Sequence, residues 1–120
     1  GIPPNEINAD RLEIARRFAA DWGCVLVLKG APTITAFPDG EAYINSTGNE
    51  GMATGGTGDV LTGIIAGFIS QGMSSCDAAV AGVYIHGLAG DIVAAKGMIG
   101  ITATDILAAV PAAISAVQQC

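Results

Sequence analysis

Glycines at positions 48, 51, 55, 56 and 58 crowd one stretch of the chain, and that stretch ends abruptly in Asp59-Val60-Leu61. From there Val60, Leu61, Ile64, Ile65, Phe68 and Ile69 recur at the spacing of one helix face, and Gly72 closes the run. The stretch is too rich in glycine to be a strand or a helix, so residues 45–58 are a loop delivered straight into a helix start. Without Cβ atoms in the way, successive backbone N–H groups can turn toward one point. The helix terminus adds unpaired N–H donors and a partial positive charge. The two together make an anion site suited to phosphate.

Two common phosphate loops do not fit. No Lys-Ser/Thr pair follows the glycines, which excludes a Walker A loop. Gly56-Thr57-Gly58 is followed by Asp59-Val60-Leu61, so the third glycine of a dinucleotide fingerprint is missing. The preceding elements are also wrong for a first βαβ turn.

Upstream, Asn8 is placed to cap a helix running to about Trp22, with Leu12, Ala15, Ala19 and Trp22 as its apolar stripe and Gly23 as its stop. Cys24 to Leu28 is apolar at every position, which reads as an interior strand of a parallel sheet. Thr33 to Phe37 and Glu41 to Asn45 read as an antiparallel hairpin around Pro38-Asp39-Gly40. Downstream, a helix over about Asp77 to Ala95 is apolar nearly all round and is expected to be buried on most sides. Thr102 with Asp105 forms a capping-box pattern for a last helix, Asp105 to Val117. Gly63 and Gly67, four apart, are expected to let a neighbouring backbone come close.

One strand and one hairpin cannot bury the apolar surface of four helices. The chain therefore reads as part of a larger α/β domain whose further parallel strands lie elsewhere. Composition points the same way. The chain is 51% hydrophobic and 13% charged, against roughly 25% charged in an average soluble domain. So few charges leave a surface that packs on something else or self-associates, in a sequence whose Ala and Gly also favour tight helix packing; a homo-oligomer is expected. With five Lys and Arg and a net charge of −6, neither nucleic acid nor an anionic membrane surface is an expected partner. No signal peptide and no uninterrupted apolar run of about 18 residues is present. Cys24, Cys76 and Cys120 form no metal or disulfide framework, which fits a reducing, cytoplasmic setting, with Cys24 expected as a buried thiol. The first residue is Gly1 rather than Met, so the chain is expected to be processed, trimmed or a piece of something longer.

Asp59 is the odd residue of the loop. A carboxylate beside a phosphate site suffers repulsion unless it has a task. One reading is a helix-start carboxylate favoured by the dipole. The other is a general base taking a proton from an attacking hydroxyl. Lys29 is the only cation between Arg17 and Lys96 and stands where the apolar strand ends, the end at which open α/β sheets bind ligands. It reads either as a phosphate partner or as a strand-end lysine reaching for water. His86, mid-helix among apolar residues, reads as structural. Asp91 is five positions on, off the spacing of a paired metal site, and no metal-ligating residues are assigned. Asn45 and Asn49 read as loop-shaping residues, Asn49 also as a possible ligand contact.

The stretch Asn45-Ser-Thr-Gly-Asn-Glu-Gly-Met-Ala-Thr-Gly-Gly-Thr-Gly-Asp-Val-Leu61 closely resembles the signature of the NAD(P)H-hydrate dehydratase family. Val27-Leu-Lys-Gly-Ala-Pro-Thr33 and Gly82-Val-Tyr-Ile-His-Gly-Leu-Ala-Gly-Asp91 resemble its flanking motifs. The similarity covers essentially the whole chain in the family's order. Gly-Thr-Gly-Asp alone is shared with the wider ribokinase-like kinases.

The resemblance implies a ribokinase-like, three-layer α/β/α domain, with residues 1–120 as its C-terminal part and the N-terminal half absent. It implies dehydration of hydrated NADH or NADPH, with ADP (or ATP) as co-substrate and Mg²⁺ assisting. Lys29, Gly30, Ala31, Pro32 and Thr33 match the nucleotide-contacting segment. Gly58 matches a nucleotide-contacting glycine, and Asp59 matches a residue at the hydrate, the catalytic base. The N–H groups of Gly55, Gly56, Thr57 and Gly58 would hold the transferring phosphoryl group. Two competing readings share these features: a small-molecule kinase of the same superfamily, and a non-catalytic nucleotide-binding fragment. The departure is length, and the isolated chain is expected to be inactive or poorly folded.

Overall fold

A computed structural model describes residues 4–52, 55–97 and 100–118. The chain divides into two compact units, Gly1–Asn45 and Ser46–Cys120.

The first unit is one helix, α1 (Pro4–Trp22), on a three-stranded sheet of β1 (Leu26–Leu28), β2 (Ile34–Ala36) and β3 (Ala42–Ile44). Helix α1 starts before Asn8, at Pro4, where a proline's fixed φ and missing N–H do no harm. Ala15 and Ala19 are fully buried and meet Ile34 and Ala36 of the sheet, with Leu12, Leu26, Leu28 and Ala42 around them. The expected apolar stripe stops at Ala19. Trp22 is 67% exposed and leans on Phe18, ring centroids 5.1 Å apart. Gly23, at φ 65°, ends the helix, and the Cys24 N–H donates back to the Ala19 carbonyl at 3.1 Å in the pattern of a Schellman motif.

The strand order is β1-β2-β3 and both pairs are antiparallel, with Val27 opposite Thr35 and Thr35 opposite Tyr43. The hairpin turn is the expected one. Gly40 has φ 96°, its N–H reaches the Phe37 carbonyl at 3.1 Å, and the Glu41 N–H is held by Asp39 Oδ1 at 2.9 Å. Arg16 Nε ties α1 to this turn through the Gly40 carbonyl at 2.8 Å. The deeply buried strand is β2: Ile34 and Ala36 face α1, and Thr35, on the opposite face, is also buried. The apolar run at Cys24 yields a strand of only three half-buried residues at one edge of this sheet, paired antiparallel. An unbroken apolar run reports burial but does not report which strand lies alongside; among the described residues the neighbour is β2, and it is antiparallel. Cys24 is half-buried, less enclosed than expected.

The second unit is helical: α2 (Thr57–Ser70), α3 (Ser75–Ala94) and α4 (Ala103–Gln118). Helix α3 packs against both others. Ile85, Ala89, Ile101, Ile106 and Ala113 form the buried centre, with Val60, Ile64, Phe68, Leu88 and Val110 packed around it. Helix α3 starts at Ser75 because the Ser74 side chain accepts the Asp77 N–H at 3.1 Å. By length and composition α3 would pass for a membrane span, yet it is the core helix of this unit, with eight residues buried along it. The capping box of α4 is present: Asp105 N–H donates to Thr102 Oγ1 at 3.2 Å, and Thr102 N–H to Asp105 Oδ2 at 3.0 Å. Pro111 lies inside α4. Its missing N–H leaves the Leu107 carbonyl without its usual partner, and Leu107 is exposed to water.

The close backbone approach falls on different glycines from those expected. A Cβ on Gly63 or Gly67 would meet nothing within 4 Å among the described residues. The tight contacts are on α3, where Gly82 lies against Ile65, Gly87 against Thr47 and Gly90 against Met52. Spacing locates two glycines on a helix but does not say which face meets a partner.

Candidate phosphate-loop site

The loop before α2 is held at its first half by α3. Thr47 Oγ1 donates to the Tyr84 carbonyl at 2.9 Å. The Gly48 N–H donates to Asp91 Oδ2 at 3.0 Å, and Asn49 Nδ2 donates to Asp91 Oδ1 at 2.8 Å. Asn49 then accepts the Gly51 N–H on Oδ1 at 3.0 Å, and its carbonyl accepts the Met52 N–H at 3.2 Å, closing the single 3-10 turn Glu50–Met52. Gly87 and Gly90 make this grip possible, since side chains there would overlap Thr47 and Met52. Asn49 thus shapes the loop, one of the two readings given above. Asp91 is the residue whose part in the loop sequence reading missed; the signal was its place at the end of the Gly82–Asp91 motif.

Ala53 and Thr54 lie outside the described residues. Gly55 and Gly56 are exposed, and Gly56 is the N-cap of α2 at φ 88°, ψ −10°. This left-handed conformation favours glycine, and Gly56 brings no side chain to the N-cap position. The Gly56 carbonyl accepts the N–H groups of Asp59 and Val60 at 3.1 and 3.2 Å. Thr57 and Gly58, half-buried, form the start of the first turn, and the Gly58 carbonyl takes the Thr62 hydroxyl at 3.0 Å. The start of a 14-residue helix carries N–H donors and a partial positive charge. Asp59 stands in that first turn, exposed, with its side chain turned away from the core.

Lys29 to Thr33 belong to the first unit and form the turn from β1 to β2. Lys29, Gly30 and Ala31 are exposed, while Pro32 and Thr33 are half-buried, and the Ala31–Pro32 peptide is cis. Thr33 Oγ1 donates to the Gly30 carbonyl at 3.2 Å and accepts the Gly30 N–H at 3.4 Å, so the turn is internally braced. Arg11 Nη2 reaches the Lys29 carbonyl at 3.5 Å. The expected residues therefore form two local groups, 29–33 in the first unit and 55–59 in the second. His86 is half-buried in α3. Among the described residues no cluster of three His, Cys, Asp or Glu could hold a metal ion.

Solved structures share the fold. The ADP/ATP-dependent NAD(P)H-hydrate dehydratase of Bacillus subtilis, co-crystallised with ATP and Mg²⁺ and soaked with CoA, superposes with a TM-score of 0.86 and 36% identity, over 97% of this chain and 43% of that one. The Bacillus subtilis protein YxkO gives 0.87 at 36% identity, over 97% of this chain and 44% of its own. The fold is that of the carbohydrate-kinase-like α/β proteins.

Within that class the chain belongs to the NAD(P)H-hydrate dehydratase family, whose model matches residues 1–112. A bifunctional NAD(P)H-hydrate repair enzyme of Moorella thermoacetica is 53% identical over 112 residues, 92% of this chain and 21% of that protein. An ADP-dependent (S)-NAD(P)H-hydrate dehydratase of Neisseria meningitidis is 44% identical over 103 residues, 86% of this chain and 34% of that protein. The chain thus spans about a fifth to a third of the length of these relatives.

Proposed function

We propose that this chain supplies the phosphate loop and the nucleotide turn of an enzyme that dehydrates hydrated NADH or NADPH at the expense of ADP or ATP. The observation that carries the reading is Asp59: an exposed carboxylate in the first turn of a helix whose N-cap is Gly56 in the left-handed conformation. The family match and the names of the relatives support the substrate.

In this reading the N–H groups of Gly55 to Gly58 hold the terminal phosphoryl group of the nucleotide and the charge that develops on it. Lys29 to Thr33 contact the nucleotide. Asp59 takes the proton from the hydroxyl of the hydrate, whose oxygen attacks phosphorus in a kinase-like displacement. The phosphate ester is then expelled by the electrons of the ring nitrogen, and loss of a ring proton with it completes the removal of water. The products are repaired cofactor, phosphate, and AMP from ADP or ADP from ATP. The described residues form no acidic cage for Mg²⁺. Mg²⁺ brought in with the nucleotide would neutralise charge on its phosphate oxygens.

Residues 1–120 are the C-terminal part of a single domain in this reading, and the other part supplies further strands and the rest of the hydrate pocket. The protein works in the cytoplasm in this reading, a reducing setting that suits cysteines without a disulfide framework. The complete protein given hydrated NADH and ADP restores the absorbance of reduced nicotinamide. No recovery, with phosphate passing instead to a stable alcohol, would make it a small-molecule kinase.

A further inference from the structure

In the proposed mechanism the second half of the glycine loop holds the phosphoryl group, and the first half has no task. That first half is bound by one carboxylate. Asp91 accepts the Gly48 N–H on one oxygen and the Asn49 side-chain amide on the other, at 3.0 and 2.8 Å. Its two acceptors leave Asn49 only one orientation, amide nitrogen toward Asp91 and amide oxygen toward the Gly51 N–H at 3.0 Å. Thr47 and Met52 lie against Gly87 and Gly90 on the same helix, so α3 provides both a hard floor and a polar clamp. A carboxylate half-buried in a helix and spent on two donors of one loop is not an ordinary solvated charge.

We propose that Asp91 is a positioning residue for the phosphate loop. It fixes residues 48–51, and through them the course on which Gly55 to Gly58 approach the helix start. Asp91 does not touch substrate; it acts through Asn49. The proposal rests on the functional reading above for its kinetic consequence, but the clamp itself does not depend on that reading.

The hydrogen-bond polarity supplies the test. In the exchange variant Asp91→Asn/Asn49→Asp every bond is conserved. The Gly48 N–H meets the oxygen of the new amide, its nitrogen donates to the new carboxylate, and the Gly51 N–H meets the other carboxylate oxygen. In Asp91→Asn alone two amide nitrogens can face each other. In the complete protein, Asp91→Asn is expected to lower kcat by on the order of 10²-fold, the scale of a displacement of about 1 Å in a site. The exchange variant recovers most of that loss. A merely structural Asp91 would shift the melting temperature and leave kcat of the folded protein unchanged, which overturns the proposal. So does an exchange variant that folds and is as slow as the single one, because the charge at position 91 would then act in its own right.

Hydrogen exchange at the Gly48 and Gly51 amides separates the two questions. Both amides are expected to exchange fast in Asp91→Asn and slowly in the exchange variant, whether or not hydrated NADH proves to be the substrate. Slow exchange in the single variant refutes the clamp. Absence of turnover in the unmodified protein refutes the functional reading alone.

Discussion

Gly82 of α3 lies directly against Ile65 of α2: a Cβ on Gly82 would stand 2.6 Å from Ile65 Cγ1 and 3.5 Å from its Cα. The overlap is with Cγ1, the first atom of a β-branched side chain that has one strongly preferred rotamer in a helix, so Gly82→Ala must force Ile65 off that rotamer or push the two helices apart. The expected destabilisation is about 1–3 kcal/mol. Gly63→Ala and Gly67→Ala have the opposite sign. Both positions are helical and open, so the methyl group removes glycine's entropy penalty and stabilises by up to about 1 kcal/mol. Urea unfolding midpoints of the three variants check the pattern. Destabilisation by Gly63→Ala in the complete protein would mean that a segment beyond this chain covers the outer face of α2.

Gly56→Ala is expected to damage stability and function together. The left-handed conformation at φ 88° costs a side chain about 1–2 kcal/mol, and the new methyl would lie 3.2 Å from the Ala103 Cβ. The helix start then shifts, and with it the donors aimed at phosphate. Weaker ADP binding by calorimetry and a lower melting temperature should appear in the same variant.

Asp59→Ala should separate binding from chemistry. The carboxylate is exposed and its side chain supports no packing, so the fold and the nucleotide affinity are expected to persist. Turnover of hydrated NADH is expected to fall by about 10²–10⁴-fold, the range for a lost general base. Calorimetry with ADP and absorbance recovery on one preparation decide it; unimpaired turnover removes Asp59 from the mechanism.

Thr102→Ala tests the cap of α4. The hydroxyl accepts the Asp105 N–H, and loss of such a cap costs about 1 kcal/mol. The thermal midpoint should drop without a change in nucleotide affinity.

The isolated 120-residue chain is expected to leave hydrated NADH untouched at any ADP concentration, with activity appearing in the longer protein. Full turnover by the isolated chain would refute this division of labour.

The elements with their own local signals were legible in the sequence. Thr102 and Asp105 predicted their reciprocal cap, Pro38-Asp39-Gly40 its hairpin, and the glycines before Asp59 the loop and helix start. What remained hidden depended on a partner distant in sequence. Nothing local marks Gly82 rather than Gly63 as the site of close approach, because helical spacing is the same for both. Nothing local assigns β1 an antiparallel neighbour, because apolar character records burial alone. The Asn49–Asp91 contact spans 42 positions, and only the motif ending at Asp91 hinted at it. Trp22 continued the helical pattern of Ala15 and Ala19, yet it is exposed and leans on Phe18 instead.

Among the described residues strand β1 makes one ladder, with β2, and its three residues, Leu26, Val27 and Leu28, carry neither a charge nor a proline to repel a newcomer. Its far side is a row of backbone donors and acceptors awaiting a match. For anyone handling this polypeptide alone, the first loss will come from molecules sticking edge to edge in concentrated solution. A lysine introduced at position 27 should keep more of it dispersed.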